Sequence, residues 1–282
     1  MRKLLAGIIV GALAGFVVSS NASVIGLWDA ASGGLNDQSG TGHNLTTQAS
    51  GTGTLPTHDA GGWYNMANGG GLVGTGPTSD YDFPIDTDAG TGSPFSIHNY
   101  FTWTGWQSDI PYAIASKAEL MANGHFAGWG LFLGDTNHSL AIQPQPGNNQ
   151  DRMYSRRKDD SGSTTHTTDV LITVTHDGSG TTAGTVFYVD GEEWTVNDFT
   201  QNALAGNTSN NGQLEIGYSA SRNNDNVGFN GKWYFTEIHD AVLSGEEVAA
   251  RWNGGNPSRV PEPSSLALIG IGCALLGLRR RR

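Results

Sequence analysis

The chain has 282 residues, 41 of them glycine, one cysteine, and a formal net charge of −11. The negative balance repels phosphate backbones and argues against nucleic acid as a partner. One cysteine is too few for a disulfide framework or a Cys-ligated metal, and glycine at about twice its usual ~7% favours many turns over long helices.

In chain order, Arg2 and Lys3 precede an apolar run over residues 4–18, and Ser20-Asn21-Ala22 is a small-x-small cleavage signal. This predicts a signal peptide over 1–22, cut after Ala22 by a signal peptidase. The other reading is a retained N-terminal membrane helix. Residues 23–256 are long enough to bury a sizeable core without disulfides. The basic ends hide much of this domain's charge. Without Arg2, Lys3, Arg259, the four terminal arginines and Glu262, Lys and Arg fall from 15 to 8 and Asp and Glu from 26 to 25, a balance of −17.

Short apolar runs predict strands at 23–28, 95–106, 111–117, 128–133, 139–143, 170–176, 185–189, 214–218 and 233–239. Val170, Ile172 and Val174 share one face. Asp190-Gly191 reads as a hairpin turn. Residues 245–252 read as a helix, with Ser244 as N-cap, Glu246 and Glu247 in the first turn and Gly254-Gly255 as the stop. The fold class this predicts is all-β, a sandwich or jelly roll.

Two loops suggest sites. Asp37 and Ser39, in a glycine-rich segment, are hard oxygen donors of the kind Ca²⁺ prefers, or else residues of an ordinary turn. Asp82, Asp86 and Asp88 form a second acidic loop that does not fit the EF-hand spacing. Gly69, Gly71 and Gly74 match a dinucleotide pattern by count, but no strand precedes them, so they read as a glycine-rich loop. For a glycan platform the candidates are Trp63 with Tyr64, Trp106, and Trp129. Trp63 is preferred because glycine flanks it and no periodic strand surrounds it.

The chain ends in Val260-Pro261-Glu262-Pro263, an apolar segment over 264–278, and four arginines beginning at Arg279 and Arg280. The prolines keep the motif extended, the apolar run can enter a bilayer, and the arginines stay on its cytoplasmic side. Thirteen apolar residues rise about 20 Å as a helix, short of a ~30 Å hydrocarbon core. That length suits a segment held briefly and then released; a permanent anchor is the alternative. Residues 257–282 resemble the PEP-CTERM sorting signal of Gram-negative bacterial surface proteins. The resemblance implies cleavage near the motif by an exosortase-type peptidase, transient membrane contact, and a cell-surface or extracellular location.

The domain carries a second resemblance, on four segments in order: Ile25-Gly26-Leu27-Trp28-Asp29 with Asp37-Gln38-Ser39-Gly40-Thr41-Gly42; residues 95–106; residues 172–178 with 186–191; and Phe229-Asn230-Gly231 with residues 241–248. Together they are similar to the concanavalin A-like, laminin-G-like jelly rolls. A calcium ligand sometimes found two or three residues after this Phe-x-Gly is replaced here by Lys232-Trp233-Tyr234. Glycosidases of that sandwich place carboxylates in an E-x-D-x-x-E pattern, which this chain lacks. The expectation is therefore a non-catalytic module binding exopolysaccharide. A hydrolase with other carboxylates and a protein-adhesion module are the alternatives.

Overall fold

The computed structural model describes residues 22–32, 34–49, 53–67, 69–75, 81, 83, 92–103, 112–120, 126–133, 140–142, 145–146, 153–155, 169–179, 184–194, 212–217 and 230–252. Among these, the strands form two eight-stranded antiparallel sheets packed as a β-sandwich. The expected signal peptide before Ala22, the second acidic loop, Trp106 and the C-terminal tail lie outside the described residues.

The first sheet contains β1 (Val24–Asp29), β3 (Thr57–Asp59), β4 (Trp63–Met66), β6 (Phe95–Trp103), β12 (Asp169–His176), β13 (Thr185–Val189), β14 (Glu192–Glu193) and β16 (Gly231–His239). Its order is β14-β13-β12-β6-β16-β4-β3, and β1 pairs with β16 beyond the end of β4. The second contains β2 (Leu45–Ala49), β5 (Gly70–Gly74), β7 (Tyr112–Leu120), β8 (Phe126–Leu133), β9 (Leu140–Ile142), β10 (Gln145–Pro146), β11 (Met153–Ser155) and β15 (Leu214–Ile216). The order there is β11-β9-β8-β7-β15-β5-β2, with β10 against β8.

Alternation sorts the side chains. On β6, Phe95, Ile97 and Phe101 enter the core, as do Val170, Ile172 and Val174 on β12; Leu72, Leu131, Leu214 and Ile216 meet them from the second sheet. Phe95 stacks on Phe83 at 4.5 Å between ring centroids, and Trp129 closes on Phe83 at 5.7 Å. A polar chain crosses this core: Trp233 Nε1 donates to Thr236 Oγ1 (3.0 Å), whose hydroxyl donates to Asn99 Oδ1 (2.8 Å). Thr236 thus links two buried side chains, while the Asn99 Nδ2 amide beside it has no hydrogen-bond partner among the described residues.

Seven of the described strands, β2, β3, β4, β5, β10, β11 and β14, lie outside the runs the sequence predicts, and two of them change a reading made from it. The glycine run at 69–74 is not a loop: Gly70–Gly74 is strand β5, pairing with β2 and β15 and largely buried. Its glycines permit close approach, since a Cβ on Gly70 would lie 2.0 Å from the Thr54 carbonyl oxygen. Trp63 also stands on a strand, β4, which at four residues is too short to show a period.

The helix α1 (Gly245–Trp252) begins with a capping box, in which Glu247 N donates to Ser244 Oγ and Ser244 N donates to Glu247 Oε2. It lies on the outer face of the first sheet. Val248 joins Tyr188 and Leu243 in a small apolar cluster, and Trp252 reaches Tyr100 at 6.5 Å. The hairpin turn into β14 is formed by Asp190 (φ 54°) and Gly191 (φ 81°), both left-handed as a type I′ turn requires.

Candidate functional site: an aromatic row on the outer face of the first sheet

Outward positions on neighbouring strands line up across the sheet. The ladders place Asp169 opposite Thr102, Thr102 opposite Lys232, and Lys232 opposite Asn65. Beside this polar row runs an aromatic one. Trp63 on β4 meets Tyr234 on β16 at 6.1 Å, Tyr234 meets Tyr100 on β6 at 4.7 Å, and Tyr100 meets Trp252 of α1. A bulge in β16 between Trp233 and Phe235 makes this possible. It turns Trp233 into the core while Tyr234 and Phe235 both contact Tyr100 outside. All four rings of the row are half-buried. Crossing from β4 to β12 takes three strand spacings, about 14 Å.

The row is held by its polar neighbours. Asp169, exposed at the start of β12, accepts hydroxyl hydrogens from Tyr234 (2.8 Å), Tyr100 (3.3 Å) and Thr102. Burial, then the charge of Asp169, holds the Tyr100 phenol well above the usual tyrosine range; burial and Asp169 also push Tyr234 upward against the Thr102 hydrogen bond. Both rings therefore keep their hydroxyl hydrogens. Trp63 donates from Nε1 to Asn65 Oδ1 at 3.2 Å, and the Lys232 ammonium sits 4.2 Å from the indole centroid, a cation–π contact. The indole lies over Gly61, where an added Cβ would come within 2.0 Å of the ring.

The other platform candidates fall elsewhere. Tyr64, next to Trp63, points to the opposite face, as adjacent strand residues must. It packs on Trp233 at 5.9 Å and on His58 at 4.9 Å, so Trp63 and Tyr64 do not share a platform. Trp129 is 1% exposed and donates to the Tyr81 carbonyl at 2.8 Å; it is a core residue. Sequence reading missed Tyr100, Tyr234, Asp169 and Trp252. Tyr100 alternates with the core residues of β6, which marks it as outward; nothing local marks the others.

The Asp37 loop is a closed hydrogen-bonded knot. Oδ1 accepts from the amides of Leu27 (3.1 Å) and Ser39 (2.9 Å); Oδ2 accepts from the hydroxyls of Ser39 (2.9 Å) and Thr41 (2.7 Å) and the amides of Gly42 (2.9 Å) and His43 (3.1 Å). Burial alone would raise its pKa, but these donors outweigh it and lower the carboxyl to about 2. Six donors saturate the lone pairs of one carboxylate. Asp37 and Ser39 therefore do not fit a Ca²⁺ ion, which needs those same oxygens. Among the described residues, no three His, Cys, Asp or Glu side chains converge on a common metal position.

A buried charged cluster lies under α1. Arg251 Nη2 is 3.3 Å from Glu237 Oε1, and His239 Nε2 is 2.7 Å from the same oxygen. His98, fully buried, bonds Thr173 Oγ1 through Nδ1 at 2.7 Å and packs edge-on against His239. Ala22, the residue before the expected cut, packs beside the Tyr188 cluster, and Ser23 N donates to Asp240 Oδ1 at 2.8 Å.

With this geometry in hand, comparisons locate the chain among known proteins. A family model of the PEP-CTERM protein-sorting motif matches residues 259–282. That motif implies an exported surface protein sorted by an exosortase-type peptidase. No curated protein matches the sequence. Among solved structures, domain 4 of AbnA, a GH43 extracellular arabinanase from Geobacillus stearothermophilus in complex with arabinotriose, is similar at a TM-score of 0.53 and 14% identity, covering 82% of this chain and 98% of that one. A structure of botulinum neurotoxin type C, described with two ganglioside molecules in cell entry, gives 0.54 and 14%, over 82% and 51%. The binding domain of Paraclostridial Mosquitocidal Protein 1 gives 0.54 and 15%, over 83% and 52%. This chain thus spans about half the length of the two toxin chains. Identities this low establish a shared β-sandwich and nothing finer.

Among the described residues no helix is long and apolar enough to cross a membrane.

Proposed function

We propose that this chain is a surface or extracellular-matrix protein of a Gram-negative bacterium whose sandwich, of the concanavalin A-like and laminin-G-like jelly-roll class, binds polysaccharide without cutting it. On this reading signal peptidase removes residues 1–22, and an exosortase-type peptidase acts near Pro261-Glu262-Pro263 on a transiently membrane-held tail.

The row Trp63–Tyr234–Tyr100–Trp252 carries the binding proposal. It is a line of half-exposed rings bordered by hydrogen-bonding groups, which is what stacking on sugar rings calls for. Support comes from the sandwich neighbours, one described with arabinotriose and one with gangliosides. The non-catalytic reading is favoured because, among the described carboxylates, Glu237 is committed to Arg251 and His239, Asp37 to its loop and Asp169 to three hydroxyls.

A glycan array probed with the mature domain tests this. Trp63→Ala should weaken any hit by ~1–3 kcal/mol, the cost of truncating an aromatic anchor. An empty array would favour the adhesion reading, and release of reducing sugars would show that the domain is a hydrolase.

A further inference from the structure

The hydrogens already spent on the row restrict what can bind there. Resting on the polysaccharide reading above, we propose that the ligand is a neutral, hydroxyl-rich polysaccharide chain lying across the strands, and that Asp169 sets this selectivity by making the centre of the row an acceptor surface.

The hydroxyl hydrogens of Tyr234 and Tyr100 both point to Asp169, as does that of Thr102. What these oxygens have left is lone pairs. Asp169 takes three hydrogen bonds where an ionised carboxylate offers about four acceptor sites, so it also keeps an open lone pair. Among the described residues, the centre of the row therefore accepts hydrogen bonds and offers none. Sugar hydroxyls donate to such a surface. Uronate carboxylates and sulfate esters cannot donate; they would set lone pair against lone pair beside a fixed negative charge.

The wider field agrees. Asp190 adds to the negative potential at Tyr100, and the exported domain carries a large negative charge. Lys232, which borders the row, is seated on the Trp63 indole at one end. With the Asn65 amide it gives that end donors, which neutral hydroxyls also satisfy. The span of about 14 Å across the strands exceeds one hexose ring, which makes the ligand a chain rather than a monosaccharide.

Calorimetry on the mature domain separates the possibilities. The probes are neutral hexasaccharides of glucose, mannose and arabinose, and a guluronate hexasaccharide, each at low and physiological salt. At least one neutral probe should bind, with the guluronate at least tenfold weaker at low salt. Asp169→Asn puts an N–H₂ donor in the centre and leaves at least one tyrosine or threonine hydroxyl free to donate outward, so the gap should narrow at least threefold. Tyr234→Phe removes one acceptor without touching the charge and should weaken the neutral probe alone; it keeps the proposal testable if Asp169→Asn folds poorly. Guluronate binding as tight as the neutral probe, and lost in Trp63→Ala, would overturn neutral selectivity while leaving the row as the site. Binding of no probe would overturn both this inference and the polysaccharide reading.

Discussion

Arg251, in the last turn of α1, reaches across to Glu237 on β16, with 3.3 Å between Nη2 and Oε1. The same carboxylate oxygen takes His239 Nε2 at 2.7 Å. This pair fastens the helix to the outer face of the first sheet, and the next residue, Trp252, closes one end of the aromatic row.

Removing one partner should expose the cost of a stranded buried charge. Arg251→Ala should destabilise the domain by about 2–3 kcal/mol, at the low end for a buried pair because the guanidinium is partly exposed. Together with Glu237→Gln, the loss should fall short of the sum of the single changes by ~1 kcal/mol or more. Urea unfolding of the three variants checks this; additive losses would mean the pair does not fasten the helix.

Stability should fall on acidification, beginning near pH 6.5. His98 is held neutral by burial, well below the ordinary histidine value, and burial brings His176 down to about 4 despite the nearby Asp177. Both take up protons in the unfolded chain below about pH 6.5 and resist doing so when folded. Their contribution is complete above that pH and is lost as pH drops toward 4, at up to roughly 2.7 kcal/mol per pH unit for two groups. Glu237 behaves as a lowered carboxylate. Burial opposes its ionisation, but the His239 hydrogen bond and the Arg251 charge prevail, so its contribution is present above about pH 4.5 and lost below. Urea midpoints at pH 8, 6 and 5 should decline in that order; a flat profile would contradict the buried neutral histidines.

For the Asp37 knot the expected result is indifference to metal. Asp37→Ala leaves six donors without their acceptor and should cost about 3 kcal/mol, since hydrogen bonds to a charged group are the stronger kind. Chelator and added calcium should give superimposable melting curves for the wild type. A calcium-dependent rise in Tm, abolished by Asp37→Ala, would reverse the assignment.

Gly61 offers a test of the platform that leaves every ring in place. A methyl there would lie 2.0 Å from the Trp63 ring, so Gly61→Ala must swing the indole away. Binding of the neutral probe should fall about tenfold, with a shift in tryptophan emission and a stability loss of about 1 kcal/mol. Undiminished binding would take Trp63 out of the site.

Sorting has its own readout. Glu262→Ala should leave a longer, membrane-retained form, and intact-mass analysis of surface material should find the wild-type chain ending near the Pro261-Glu262-Pro263 motif. An intact C-terminus in that material would mean the tail is an anchor.

The strands that alternate, or are long enough to alternate, could be read from sequence. β6, β12 and β16 show apolar residues on one face; α1 carries its cap and stop, and Asp190-Gly191 its turn. β4 and β5 escaped for opposite reasons. One has four residues, and the other is rich in glycine, whose lack of a side chain is what lets it lie buried between β2 and β15. Trp63 was visible because a tryptophan directly after two glycines is conspicuous. The rest of the row was not, since Tyr100, Asp169 and Tyr234 meet only through strand register, and a one-residue bulge decides which way Tyr234 faces. Asp37 looked like a ligand because spacing shows oxygens and hides the donors that fill them.

The pairing of β1 with β16 bears on how such a chain travels. The first strand of the domain and its last lie side by side, Val24 against His239, so the centre of the first sheet cannot close until residue 239 is free. Every incomplete chain therefore lacks the strand that β6, β4 and β1 all require, and contacts this distant in sequence form slowly. A polypeptide built this way can complete the sheet only once both of its distant strands are present. When it does, its entry and exit points come together at one pole, with Ser23 bonded to Asp240.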